Sequence, residues 1–441
     1  MKPNVIFLLV DSLRSDKFFL NPNVDATSIK SLIQQGIYFK NAFSSSDYTI
    51  TGYGSIFTGM YPVNAGIEGM SYHNLFSNTS NLFTKLQSND YHCYATIDSG
   101  MTELGFDAKF ENNDVGYDRT STNLFEGLEE KILQKLSSNN FLQPWFYFIH
   151  LDDLHIPIRV PSEFQDKNYS ERYDLVIEKL DSFLGHLLKI IDFENILLVI
   201  TSDHGDYILS ENSTKTKTSN LKSKIRSKIP RSTYDYLSTI KRGTQHKIKE
   251  IQATDPLSKR NLETRTAKNR YLFDDLVHVP LLFFGHGIKR IGPVTDFVRS
   301  VDISPTILDL LKIEHDLSNV DGISLTPIFN GKSVDISSVY LENTIFETDT
   351  KNPEPCVGLR TAQYKYFRSL STTNEKIHLF DILSDPLEEH NISSENPEII
   401  KQMELELSKQ RSLLQKRFEK PEMTDEETKK VEDELKKLGY I

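Results

Sequence analysis

Carboxylates and imidazoles recur in this chain directly after short apolar runs. Residues 5–10 are apolar and are followed by Asp11. Residues 146–149 lead into His150, Asp152, Asp153 and His155. Residues 196–201 lead into Ser202, Asp203, His204, Gly205 and Asp206. Continuous apolar runs bounded by polar residues mark strands buried on both faces of a sheet. In an open α/β sheet, ligands bind beyond the carboxyl ends of the strands. One Asp after a strand is ordinarily a turn or capping residue. Three such clusters on one edge suit a hard or borderline divalent cation with oxygen and nitrogen ligands.

The elements that must position these residues follow from the remaining pattern. A fourth apolar run covers residues 280–284, and helical periodicity covers 26–35 and 173–191. Strand and helix alternate, which predicts an α/β fold with a mainly parallel sheet. Residues 211–270 break the alternation, with sixteen Lys and Arg against five Asp and Glu. They read as a basic insertion between two core strands. Its bland interpretation is a solvated loop; its sharper one is a docking surface for an anionic polymer or lipid head group. A boundary falls near Gly331-Lys332-Ser333, followed by strand-like pieces at 339–342 and 364–368. The expected organisation is a catalytic domain over 1–332, a small α+β subdomain over 333–396 and a charged helical tail over 397–441.

Composition excludes little. The 441 residues carry a net charge of -11, which does not suggest nucleic acid as a partner. Two isolated cysteines, Cys93 and Cys356, are expected to be reduced. The first apolar run is too short for a membrane span and lacks a cleavage site. The expectation is a cytoplasmic protein, or one held peripherally at a membrane.

Longer segments carry a family likeness. Residues 4–16, from Asn4 through Asp11-Ser12-Leu13-Arg14, resemble the first metal-binding segment of the sulfatases, a branch of the alkaline-phosphatase-like enzymes. Ser202-Asp203-His204-Gly205 resembles their second. Residues 150–157 resemble the H-x-x-D-P-H-x-P stretch. Segments at 302–309, 321–325, 364–366 and 379–386 resemble later pieces in the same order. The resemblance implies an α/β/α sandwich around a mixed, mainly parallel sheet, with a small C-terminal α+β subdomain. It also implies a metal-dependent enzyme acting on sulfate or phosphate esters.

The nucleophile segment departs from the sulfatases proper. Their pattern is C-x-P-S-R followed by T-G. Counting back from Thr58-Gly59 puts Thr49 at the Cys, Thr51 at the Pro, Gly52 at the Ser and Tyr53 at the Arg. Sulfatases convert that Cys, or a Ser, to formylglycine; none is expected from a Thr. Thr49 is similar instead to the unmodified Thr of phosphate-handling relatives, where metal coordination activates the hydroxyl. A helix starting near Gly52 would aim its N-terminus at the anionic substrate; alternatively Thr49 merely caps that helix. Ser12 stands where many sulfatases carry a second Asp.

The implied ligand set is Asp11, Thr49, Asp203 and His204, holding one Mn²⁺, Zn²⁺, Mg²⁺ or Ca²⁺. His155 is implied at the leaving group, where an imidazole suits proton transfer near neutrality. Ser12, His150, Asp153 and His278 are expected around this set. Lys268, Arg270 and His246 compete as the basic residue completing the site. The leading expectation is a hydrolase or transferase of phosphate mono- or diesters, with an anionic glycan- or lipid-linked substrate. Three alternatives stand beside it: a sulfuric ester hydrolase, a transferase of phosphoryl-linked head groups onto a glycan, and a catalytically silent binding protein.

Overall fold

The computed structural model describes residues 2–67, 81–103, 109–138, 140–207, 271–289, 292–315, 320–343, 355–370 and 377–414. The basic insertion and the end of the helical tail lie outside the described residues. So do Lys268, Arg270 and His246.

The main sheet has eight strands in the order β4-β3-β5-β1-β6-β7-β2-β8. They are β1 (Asn4–Val10), β2 (Ile37–Phe43), β3 (His92–Asp98), β4 (Gly116–Tyr117), β5 (Trp145–Leu151), β6 (Ile196–Thr201), β7 (Leu281–Gly285) and β8 (Gly292–Arg299). β1 is central. It pairs in parallel with β5, setting Leu9 opposite His150, and with β6, setting Leu9 opposite Thr201. These registers align the carboxyl ends of the three strands, so the residues that follow them emerge side by side. β7 is antiparallel to both neighbours, which makes the sheet mixed.

The alternation of side chains in β1 divides the core. Val5, Phe7 and Leu9 point into one apolar cluster, with Ile50, Ile56 and Phe57 of the helix Thr49–Thr58 and Ile303 and Ile307 of the helix Ile303–Leu310. Ile6, Leu8 and Val10 point into the other, with Ile29 and Leu32 of Thr27–Gln35 and Val176, Leu180 and Leu184 of Tyr169–Ile190. Every residue of β1 is buried. A strand covered on both faces reads as an unbroken apolar run, which is why this one is legible in the sequence.

Residues 338–381 carry a second, antiparallel sheet of four strands: β9 (Ser338–Glu342), β10 (Cys356–Thr361), β11 (Tyr364–Ser369) and β12 (His378–Asp381). The helix Pro397–Leu413 packs on it through Met403 and Leu407. Neither cysteine is bridged, and among the described residues no helix is long and apolar enough to cross a membrane.

An ion cluster joins this sheet to the main one. Asp274 lies in the short helix Asp274–Val277 and receives Lys365 Nζ at 2.6 Å and Arg360 Nε at 2.9 Å. The next residue, Asp275, pairs with Arg14 Nη1 at 2.7 Å, three residues beyond Asp11. Burial alone would raise the Asp274 pKa, but Arg360 and Lys365 outweigh it and hold the carboxyl below its usual range. Its contribution to stability is therefore complete above the ordinary Asp pKa and is lost as pH falls through the depressed folded value. Asp274→Ala leaves the fully buried Lys365 without its carboxylate. It should destabilise the protein by about 3–5 kcal/mol, read as a lower denaturant midpoint at neutral pH.

Candidate active site

Asp11 follows β1, Asp203 and His204 follow β6, and Thr49 opens the helix Thr49–Thr58. That helix starts three residues earlier than the sequence pattern predicts. Tyr48 is its extended N-cap residue, and the first intrahelical bond runs from Gly52 N to Tyr48 O at 2.8 Å. Thr49 therefore sits in the first turn, and its side chain faces the sheet edge. Gly52 is required by close approach: a Cβ there would stand 2.7 Å from the Asp203 carbonyl oxygen. The missing side chain lets the helix rest directly on the loop that carries Asp203 and His204.

Thr49 Oγ1 lies 3.3 Å from Asp11 Oδ2 and 3.2 Å from His204 Nε2. His204 Nε2 lies 3.6 Å from Asp203 Oδ2. One ligand atom each from Asp11, Asp203 and His204 falls within 4.8 Å of the others. Four ligands around a divalent ion at ~2.0–2.2 Å would be spaced by about 3.3–3.6 Å. Asp203 is fully buried, yet its Oδ2 has no hydrogen-bond partner. Buried polar atoms are rarely left unsatisfied, so these residues fit a divalent cation. His204 Nδ1 is engaged by the Gly205 carbonyl at 2.6 Å, which turns Nε2 toward the set.

Ser12 ties the two carboxylates together. Its Oγ donates to Asp11 Oδ1 at 2.6 Å and its N–H donates to Asp203 Oδ1 at 3.3 Å. Its φ of 61° places it in the left-handed region, at the turn leaving β1. His150 is fully buried, 3.7 Å from Asp11 Oδ2, with its ring edge-on to Tyr53. Asp153 turns away and accepts from Leu124 N at 2.8 Å. His278 lies outside the set: its Nε2 contacts the Lys40 carbonyl at 2.7 Å and its ring stacks on Phe43. In this position it pins the end of β2.

His155 borders the set. Its Nδ1 is 3.3 Å from Arg119 Nη1, which also donates to Asp152 Oδ1 and Oδ2 at 3.2 and 3.0 Å. Sequence reasoning missed Arg119. It follows β4, a two-residue strand at the sheet edge that leaves no periodic signal. Tyr117 in that strand donates to His150 O at 3.0 Å and accepts from Asp152 N at 3.2 Å. An edge element thus shapes the loop after β5.

Burial dominates the electrostatics. It pushes Asp203 up, with the Asp11 charge adding to it, and lowers His155 to about 4. Burial opposes protonation of His204, but Asp203 and Asp11 outweigh it and raise the group to about 9. Burial would also raise Asp11, yet the imidazoles of His150, His155 and His204 hold it below the carboxylate range. Without a cation the set retains protons; an ion would displace them.

Comparison with known proteins agrees with this architecture. Residues 3–313 match the sulfatase family model, and residues 263–413 match that of the N-sulphoglucosamine sulphohydrolase C-terminal region. The chain belongs to the sulfatase family. Arylsulfatase K of Rattus norvegicus is 32% identical over 151 residues, covering 33% of this chain and 26% of its own length. The matched stretch thus spans about a quarter of that relative. The fold is similar to that of a solved 2-O GAG sulfatase (TM-score 0.64, 16% identity, 93% of this chain and 92% of that one). It is also similar to the phosphonate monoester hydrolase of Agrobacterium radiobacter (TM-score 0.66, 14% identity, 94% and 96%).

Proposed function

We propose that this chain hydrolyses an anionic ester at a tetrahedral sulfur or phosphorus atom, with the Thr49 hydroxyl making the attack. The observation that carries the proposal is the position of Thr49 Oγ1, between Asp11 Oδ2 and His204 Nε2 in the first turn of a buried helix. Asp11, Asp203 and His204 would hold one divalent ion, Mn²⁺, Zn²⁺, Mg²⁺ or Ca²⁺. When bound, it supplies a lowered hydroxyl pKa and withdraws charge from a nonbridging ester oxygen. The first-turn N–H groups favour the substrate anion. His155, neutral above about pH 4, is placed as an acceptor beside Arg119. With Nδ1 accepting from Arg119 Nη1, the neutral ring carries its proton on Nε2, and that N–H would donate to the leaving-group oxygen. The intact buried ligand set supports an enzyme over a silent binding protein.

Two substrate classes compete, and different observations favour each. The family and its arylsulfatase K relatives support a sulfuric ester, and the 2-O GAG sulfatase likeness supports a glycan as its carrier. The comparisons weigh more on this side. Residue 49 favours a phosphoric ester, because Thr replaces the residue that sulfatases convert, and the phosphonate monoester hydrolase likeness is in keeping with phosphorus. Purified chain assayed on matched sulfate monoesters and phosphate mono- and diesters, with each of the four cations, separates them. Turnover of sulfate esters alone would eliminate the phosphoryl reading. Turnover of phosphate esters, with a phosphoryl adduct on Thr49, would eliminate the sulfuryl one.

A further inference from the structure

We propose a second divalent-cation site, formed by Asp11, His150 and Asp152 and sharing Asp11 with the first. The proposal rests on reading the first set as an ion site, because Asp11 is common to both. One ligand atom from each of the three residues lies within 4.8 Å of the others. All three side chains are buried, at 0, 0 and 2% exposure.

The independent observation is His150. Neither of its ring nitrogens has a hydrogen-bond partner, although the ring is fully enclosed. Its nearest ionic neighbour is Asp11 Oδ2 at 3.7 Å, too far for a hydrogen bond. Tyr53 supports the ring face edge-on at 5.6 Å and gives the nitrogens nothing. A cation between His150, Asp11 and Asp152 would supply a partner for one of the two nitrogens. Lone pairs suffice for it. Each carboxylate oxygen carries two. Arg119 Nη1 takes one on each oxygen of Asp152, Ser12 Oγ takes one on Asp11 Oδ1 and Thr49 Oγ1 takes one on Asp11 Oδ2.

Charge points the same way. Asp11, Asp98, Asp152, Asp153 and Asp203 are each no more than 2% exposed. Oδ2 of Asp98, Asp153 and Asp203 has no hydrogen-bond partner. A cation held by Asp11 and Asp152 would place positive charge among these carboxylates. Buried charge without a counterion is strongly disfavoured. Two carboxylates and an imidazole suit Mn²⁺ or Zn²⁺.

The test uses the full chain loaded with Mn²⁺, read by native mass spectrometry and electron paramagnetic resonance. Expected are two Mn²⁺ per chain and a spin-coupled spectrum, because ions in shared-ligand sites lie roughly 3.5–4 Å apart. His150→Ala should lose one ion and show the pattern of isolated Mn²⁺; Asp203→Asn should lose the other. Saturation of the wild type at one ion overturns the second site while sparing the first. Two uncoupled ions also overturn it, locating the extra one elsewhere, for example at the partly exposed Asp385, Glu389 and His390 group. No bound Mn²⁺ overturns the ion reading of both. The wild-type measurement decides the matter even if a variant does not fold.

Discussion

Thr49→Ala should lower turnover of whichever ester the enzyme accepts by roughly 10³–10⁶-fold, the range expected when a nucleophile is removed from an otherwise intact site. The fold should survive. Thr49 is the first residue of its helix and makes no side-chain cap, so no capping bond is lost. Its hydroxyl contacts only side chains of the ligand set in the bonds described above. The expected cost is that of a small cavity, about 1 kcal/mol. Thr49→Ser keeps the hydroxyl and should retain turnover within about tenfold. On the proposed alignment of Thr49 with the converted residue of sulfatases, Thr49→Cys should not create sulfatase activity, because Thr51, Gly52 and Tyr53 would still stand in place of the Pro, Ser and Arg that follow it. Steady-state kinetics paired with circular dichroism checks all three. An alanine variant keeping a tenth of wild-type turnover would refute a covalent role for Thr49.

Removal of divalent ions should have an effect of the same order on turnover, and a second one on stability. Asp203 is buried beside Asp11 with an unsatisfied oxygen, and only a cation or a proton relieves the pair. An ion that binds the folded chain alone adds about 2.7 kcal/mol when present at 100 times its dissociation constant. Exhaustive chelation should therefore take turnover to background and lower the melting temperature, and one or more of Mn²⁺, Zn²⁺, Mg²⁺ and Ca²⁺ should restore both. Asp203→Ala should be inactive, and its melting temperature should respond much less to chelator. Full turnover after chelation, with the ion content verified as nil, would rule out the single-ion set as well as its extension.

Much of this site is legible in the amino-acid sequence itself. β1, β5 and β6 are covered on both faces, so each is written as an unbroken apolar run. Their polar successors are marked as the edge residues by the parallel-sheet rule alone. Asp11, Asp203, His204 and the 150–155 cluster follow directly. The resemblance adds Thr49, which no periodicity would have singled out.

Other features were settled only by tertiary pairing. β2 carries Lys40 and Asn41 in mid-strand and β8 runs along the sheet edge, so neither shows an apolar run. β7 has the pattern of a parallel core strand yet lies antiparallel to both neighbours, because strand direction depends on the connecting path. Arg119 reaches Asp152 and His155 from just beyond a two-residue strand whose place is set by pairing with β3. His278 directly precedes an apolar strand, as His150 lies at the end of one. Only the chain folded around them sends one ring to the Lys40 carbonyl and the other to Asp11. Local patterns specify which segments are buried and what chemistry leaves their ends. The partner each side chain meets depends on contacts tens to hundreds of residues apart, and those exist only once the sheet has formed.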